Sequence, residues 1–522
     1  MAEVEEMTAG RKWTIAFTVM FGTFMAVMDI SVVNVSLPHM MGTFNEDIST
    51  ITWVATGYAI AQIITTTMAG WWSTLLGRKR LYLISLGIFI VGSILAGTAR
   101  TFNQMLVYRV IQGMGGGGLV PVALSIMREA FPARQQGMAM AVYGMGVVLA
   151  PAVGPILGGW LTDEYGWPWI FYINVPVSVP AAILAMAFIQ DPPYLKRGIR
   201  KIDWPGIILL SVALTSMQTV MERGQQEDWF ESHWIVAGTA ITVAGLIALV
   251  AWELHVKEPV INMRLFRNAA LAAGSSIGLV FGVALMGTTF ILPQFTQTLL
   301  GYPAFQSGMV LVPRALSLFV LMPVAGWLFR FLDARLMVLI GIGMLFWSYH
   351  DLARLSLDVG YWNLVPMLVI LGAGMPFMFV TLTATSLSTI RPQDMTDASS
   401  LYTLTRLVGG NIGYALTATL VADFGQIHRA DLVKNISGLN IAFQTFHGGA
   451  VSGLVRQGFD PVGAQNAANA VANALVNRQA AMLAYNDTSW WMGAMFLVLV
   501  PLLLLLPGKP RAGRPVMAAE QA

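Results

Sequence analysis

The sequence predicts an all-α membrane protein. It reads as two six-helix bundles with two additional linker helices between them, and both termini in the cytoplasm. Three observations predict this: a scarcity of charge, a succession of long apolar runs, and the placement of lysine and arginine. Of 522 residues, 56% are hydrophobic and 11% are charged. Soluble domains carry about 25% charged residues, so a soluble surface of this size could not be covered, and the bilayer must be the solvent for most of the chain. Cysteine is absent, which excludes disulfides, thiolate metal sites and a cysteine nucleophile.

A span needs about 20 apolar residues to cross about 30 Å of hydrocarbon. Fourteen runs qualify. The first six are 13–37, 51–72, 80–98, 104–126, 137–161 and 169–190. Two more lie at 205–221 and 234–253, and the last six at 270–299, 306–329, 335–353, 363–386, 396–421 and 488–507. The first run is too long for a secretory signal and is an uncleaved helix. The count places Arg78, Lys79, Arg80, Arg128, Lys196, Arg197, Arg200, Lys201, Arg264, Arg391, Lys509, Arg511 and Arg514 on the cytoplasmic side, as the positive-inside rule requires.

A short internal repeat fixes the organisation. Gly70 to Arg80 closes the second run and Gly326 to Arg335 closes the tenth, each following the second helix of a six-helix half. Parallel halves with a site at their interface are a transporter architecture. The expected domains are residues 1–200, a first bundle; 201–256, the inserted pair; and 257–522, a second bundle that includes an external loop at 422–487. Asp203 before Trp204-Pro205 reads as a helix cap, and Asp460-Pro461 opens a helix within the external loop. A docking surface for a partner is the sharper reading of that loop, and a plain connector the simpler one.

The chemistry sits on a few polar groups inside apolar runs. Asp29 lies in the first span and Arg109 in the fourth. A charge at membrane depth is costly unless paired, hydrated or neutralised. Burial disfavours the charged form of a carboxyl group and a nearby cation favours it. A carboxyl balanced between the two can load and release a proton, so Asp29 and Arg109 are the expected proton-coupling residues. The substrate cavity is expected to involve Asn34, Gln112, Gln294, Arg314 and Arg406. Gly146, Ala150, Gly154 and Gly158 make a small-residue stripe for close helix approach, and Pro151 and Pro155 bend its helix. Gly115 to Gly118 lack the Gly-Lys-Ser/Thr ending of a phosphate loop, so they are a packing element. Thirty-one methionines supply adaptable apolar walls. No nucleophile–base pair or metal cluster appears in the spans, so an enzyme is not expected, nor is any cofactor or nucleic-acid partner.

These segments together resemble the major facilitator superfamily, specifically its drug:proton antiporters with fourteen spans, the EmrB/QacA type, nearest its EmrB branch. The resemblance rests on Met28-Asp29 to Pro38, on Gly70 to Arg80 with Gly77 and Arg78, and on Arg109-Val-Ile-Gln112-Gly113. It rests also on Ala150 to Gly158-Gly159 with Pro155, Trp167 to Pro176, Glu222 to Phe230, and Leu292 to Tyr302. It implies the major facilitator fold and proton-coupled multidrug efflux of lipophilic or amphipathic molecules across the inner membrane by alternating access. It also implies a periplasmic adaptor of the EmrA kind and an outer-membrane channel of the TolC kind. Export or facilitated passage of one specific metabolite or nutrient on the same fold is the alternative. Thr74 stands where the family's loop motif carries an acid, which argues against a charge-relay latch there. The thirteenth helix lacks the acid of some dication exporters, which argues against divalent cationic drugs.

Overall fold

Local signals set most of the helix boundaries in the computed structural model, which describes residues 8–191, 202–434, 436 and 440–508. The first bundle comprises α1 (Ala9–Phe44), α2 (Trp53–Leu76), α3 (Arg78–Gly97), α4 (Phe102–Ala130), α5 (Gln136–Tyr165) and α6 (Asn174–Phe188). The inserted pair is α7 (Trp204–Arg223) and α8 (His233–His255). The second bundle comprises α9 (Ala269–Thr298), α10 (Val312–Leu328), α11 (Ala334–Leu352), α12 (Tyr361–Ser386), α13 (Met395–Val433) and α14 (Pro461–Leu497). Asp203 caps α7 through the Gly206 amide and Asp460 caps α14 through Val462 and Gly463. Asn268 and Asp333 do the same for α9 and α11. Gly77, at φ 85°, lets α2 turn directly into α3.

Twelve helices among the described residues are long and apolar enough to cross a bilayer. The two remaining members of the fourteen-span reading are α2 and α11, of 24 and 19 residues. Polar residues dilute both. In α2, Thr65 and Thr67 bond back to their own helix, and Thr66 donates to the Gly117 carbonyl at 2.9 Å, so no hydroxyl is left wanting in the bilayer.

Three helices run furthest past their expected bounds. α1 continues beyond residue 37 to Phe44, and α13 beyond 421 to Val433. α14 starts at Pro461 rather than 488. Most of the described part of 422–487 is therefore helical, the continuation of α13 and α14 together with a short helix, Ile441–Arg456. Its alanine-rich sequence is a good helix former, and the extensions hold each other through His428–Asp487 at 2.7 Å and Arg429–Asn477 at 2.8 Å. Two expected spans are also broken: the tenth at Leu311, between Ala304–Val310 and α10, and the sixth at Ile173. Lys196, Arg197, Arg200, Lys201, Lys509, Arg511 and Arg514, with the boundary at 200, lie outside the described residues.

Small residues determine which helices touch. α4 is a wedge between α2 and α3: Gly113 and Gly117 meet the Tyr58 and Gln62 carbonyls, while Gly115 and Gly118 meet Ser85 and Phe89. On α5, Gly146, Gly154 and Gly158 abut Met20, Ser31 and Val32 of α1, where an added Cβ would collide. Gly159 is looser, with Val35 3.9 Å from such a Cβ. The opposite side of α5 reaches the other bundle, with Gly137 against Gly326 of α10 and Gly144 against Phe379 of α12.

Candidate functional site

Asp29 is enclosed inside the first bundle. It is 1% exposed and Arg109 is fully buried. Arg109 Nη1 pairs with Asp29 Oδ2. The other carboxylate oxygen accepts from Gln112 Nε2 at 2.8 Å and from Asn174 Nδ2 at 3.0 Å. Ser93 Oγ accepts from the same two amides at 2.8 and 3.2 Å. Arg109 Nε donates to the Val54 carbonyl at 3.0 Å, and its guanidinium lies 4.3 Å from the centre of the Tyr58 ring. The Tyr58 hydroxyl donates to the Ala26 carbonyl at 2.9 Å. Five helices, α1, α2, α3, α4 and α6, thus close around one carboxylate. Charge-assisted bonds of this kind are roughly twice as strong as neutral ones, and each depends on Asp29 being ionised.

Adding a proton to Asp29 would remove the charge on which that shell converges. Arginine cannot neutralise in response, so this packing would then hold an uncompensated buried cation.

Val27, Ile30 and Ser31 of α1 line a cavity of about 110 Å³ between the bundles. Gln62 of α2, Pro151 of α5, Met286 of α9 and Arg406, Asn411 and Tyr414 of α13 complete much of its wall. Asn34 is exposed and continues the same α1 face one turn further out, by the spacing of 27, 30, 31 and 34. The Asp29 shell and the cavity are consequently back to back on one helix, and α1 in turn rests on the small-residue stripe of α5.

The expected cavity residues divide. Arg406 lines it, with its guanidinium 5.2 Å from the Phe379 ring centre. Gln112 does not; it belongs to the Asp29 shell. Gln294 and Arg314 are also absent from the wall. Arg314 is 1% exposed and donates to Thr289 Oγ1 at 3.1 Å. Sequence reasoning missed Tyr58 and Ser93 as site residues and gave Asn174 no role beyond the resemblance. An asparagine at the head of an otherwise apolar helix was the available signal; a tyrosine or serine in a span is too common to be one.

At the cytoplasmic ends the two bundles are joined. Arg78 pairs with Glu129 of its own bundle. It also donates to Thr396 Oγ1 at 2.9 Å and to the Pro392 carbonyl at 2.8 Å in the other bundle. Ser73 reaches Thr396 at 3.2 Å, Ser125 reaches Ser399 at 3.3 Å, and Gly70 lets Asp397 approach. Arg78 therefore bridges the bundles through a hydroxyl and a carbonyl, with no acid needed at Thr74.

Comparison with known proteins extends these observations. The sequence pattern of the Major Facilitator Superfamily matches residues 19–414. Over 486 residues the chain is 30% identical to the multidrug export protein EmrB of Escherichia coli, covering 92% of both chains. It is 26% identical over 483 residues to the fatty acid resistance protein FarB of Neisseria gonorrhoeae, covering 92% of this chain and 93% of that one. The structure of the human organic anion transporter MFSD10 is similar with a TM-score of 0.58 at 12% identity, covering 94% and 99% of the two chains. This last likeness speaks to the fold.

Proposed function

The chain belongs to the Major Facilitator Superfamily, and on that premise we propose that it is a proton-coupled multidrug exporter of the inner membrane. It carries lipophilic or amphipathic small molecules outward in exchange for protons. One observation carries this reading: a buried, fully ligated carboxylate on the helix whose adjoining face lines the cavity between the bundles.

The cycle follows from that geometry. With Asp29 ionised, its shell holds α1 against α2, α3, α4 and α6, and the cytoplasmic ends stay joined through Arg78. A proton arriving from outside neutralises Asp29 and releases Arg109, Gln112 and Asn174. α1 then shifts along α5, the cavity wall moves with Val27, Ile30 and Ser31, and the Arg78 contacts to Thr396 and Pro392 part. Substrate enters from the inside and the proton leaves there. The proton and the drug drive the cycle only through different affinities for the two states.

The cavity wall holds one cation, Arg406, beside neutral polar groups and apolar side chains. That composition favours neutral or anionic amphiphiles over dications. The outward extensions of α13 and α14 are the docking surface we assign to a periplasmic adaptor, which would hand substrate to an outer-membrane channel of the TolC kind.

The test is transport in proteoliposomes with an imposed pH gradient and a panel of lipophilic compounds. The expected result is gradient-driven accumulation by the native protein and none by Asp29→Asn. Flux that ignores the gradient, for every compound, would overturn the reading.

A further inference from the structure

A second buried carboxyl site lies at the cytoplasmic base of the inserted pair, far along the chain from Asp29. Asp203 caps the start of α7 and Glu253 lies in the last turn of α8, and they are 7% and 1% exposed. One oxygen of each is satisfied. Asp203 Oδ1 accepts from the Trp252 indole at 2.8 Å and from the Gly206 amide at 3.1 Å. Glu253 Oε2 accepts from the Ile261 amide at 3.3 Å. The remaining oxygens, Asp203 Oδ2 and Glu253 Oε1, are buried and have no hydrogen-bond partner. They converge over Gly206, where an added Cβ would lie 2.9 Å from Glu253 Oε1 and closer still to Asp203 Oδ2.

Among the described residues, neither carboxyl makes an ion pair. α2, which packs on α7, carries no charged residue. On α13, Arg406 is turned to the cavity and Asp397 to Gly70. On the segments around the base, Arg264 donates to the Leu254 and Val256 carbonyls, and the ring of His255 contacts the Ala251 carbonyl. Lys257, Glu258 and Arg267 form no bond to either carboxyl group. The groups already bound to the pair are N–H donors, of Trp252, Gly206, Ile261 and Val260, and among the described residues no third metal-ligating side chain joins the two carboxyl groups.

We propose that Asp203 and Glu253 form a proton-binding site that holds one proton between them, on one orphan oxygen and shared with the other. Two like charges that converge on one glycine in a buried pocket repel each other, which disfavours both being ionised. A single proton supplies the donor that both free oxygens lack. Its structural effect is to pin the first turn of α7 to the last turn of α8, at the junctions where the insertion joins the bundles. Loss of the proton would drive these two ends apart.

The experiment is infrared titration of the purified full chain in lipid nanodiscs, read at the carbonyl stretch of protonated carboxylic acids, beside thermal unfolding at neutral and alkaline pH. The native protein should show an acid carbonyl at neutral pH that Glu253→Gln removes, because the amide offers a permanent N–H in place of the proton. Its melting temperature should fall as the pH is raised, while that of Glu253→Gln stays level. Asp203→Asn, which still caps a helix, is the second variant and should behave alike. An unchanged acid carbonyl in both variants would overturn the proposal, as would native stability independent of pH. Neither readout involves transport, so failure of the Asp29 mechanism would leave this result standing, and the reverse.

Discussion

In the first bundle, Arg109 faces a carboxylate, one amide side chain and a backbone carbonyl, with a tyrosine ring across its plane. In the second bundle, Arg314 is as deeply buried but donates to one threonine hydroxyl and meets no acid. Each guanidinium keeps one nitrogen without a partner. The difference is the carboxylate. A buried arginine on its own is a fixed charge, because it does not titrate. Only where a protonatable partner answers it can the pair exist in two charge states, and only then can a proton alter the packing. Two bundles of like architecture thus differ in that one pairs its buried arginine with a protonatable group and the other does not.

The comparison can be broken most forcefully at Asp29. Asp29→Asn leaves the Arg109 charge buried without compensation, a loss of about 3–5 kcal/mol for a broken buried pair. The melting temperature in nanodiscs should drop sharply and gradient-driven transport should vanish. Arg109→Ala should also abolish coupled transport, with a smaller loss of stability, because the remaining carboxyl can take up a proton and become neutral. Equal losses in the two variants would mean that the shell around the pair, not its charge, carries the stability.

Arg406→Gln sharpens the comparison from the cavity side. It should raise KM for carboxylate-bearing amphiphiles about tenfold, equivalent to about 1.4 kcal/mol, and leave neutral substrates nearly unchanged. A uniform change across the panel would remove Arg406 from substrate recognition. The smallest effect is expected at Arg314→Met. Replacing a buried charge by an apolar side chain of similar volume is often neutral or stabilising, so the melting temperature should hold or rise. A collapse like that of Asp29→Asn would show that the second bundle contains a pair of its own.

Much of the site was legible in the residues. Asp29 and Arg109 stood out because a charge in an apolar run is expensive wherever it points. The glycines of α4 and α5 were legible as contact surfaces because their spacing repeats with the helix. Gln112 was misassigned for the complementary reason. It lies three residues from Arg109, and an amide in a span could serve either a cavity or a buried ion. Arg78 gave a basic loop consistent with topology, but its bridge to Thr396 spans 318 positions and had no local trace. The stretch 422–487 was read as a loop because polar residues interrupt its hydropathy, although helices outside the bilayer need no apolar face on every side.

The sequence by itself determined that the chain lives in a bilayer, how its helices alternate across it, and which charges must find partners. These follow from run length and desolvation cost, which each segment carries with it. Only the tertiary structure decided which direction around each helix axis became cavity wall, ion-pair shell or outer face. It alone set Asn174 and Ser93 beside Asp29, and Asp203 against Glu253. Side-chain direction is fixed by which neighbour a helix packs against, and that choice is made between segments far apart in the chain.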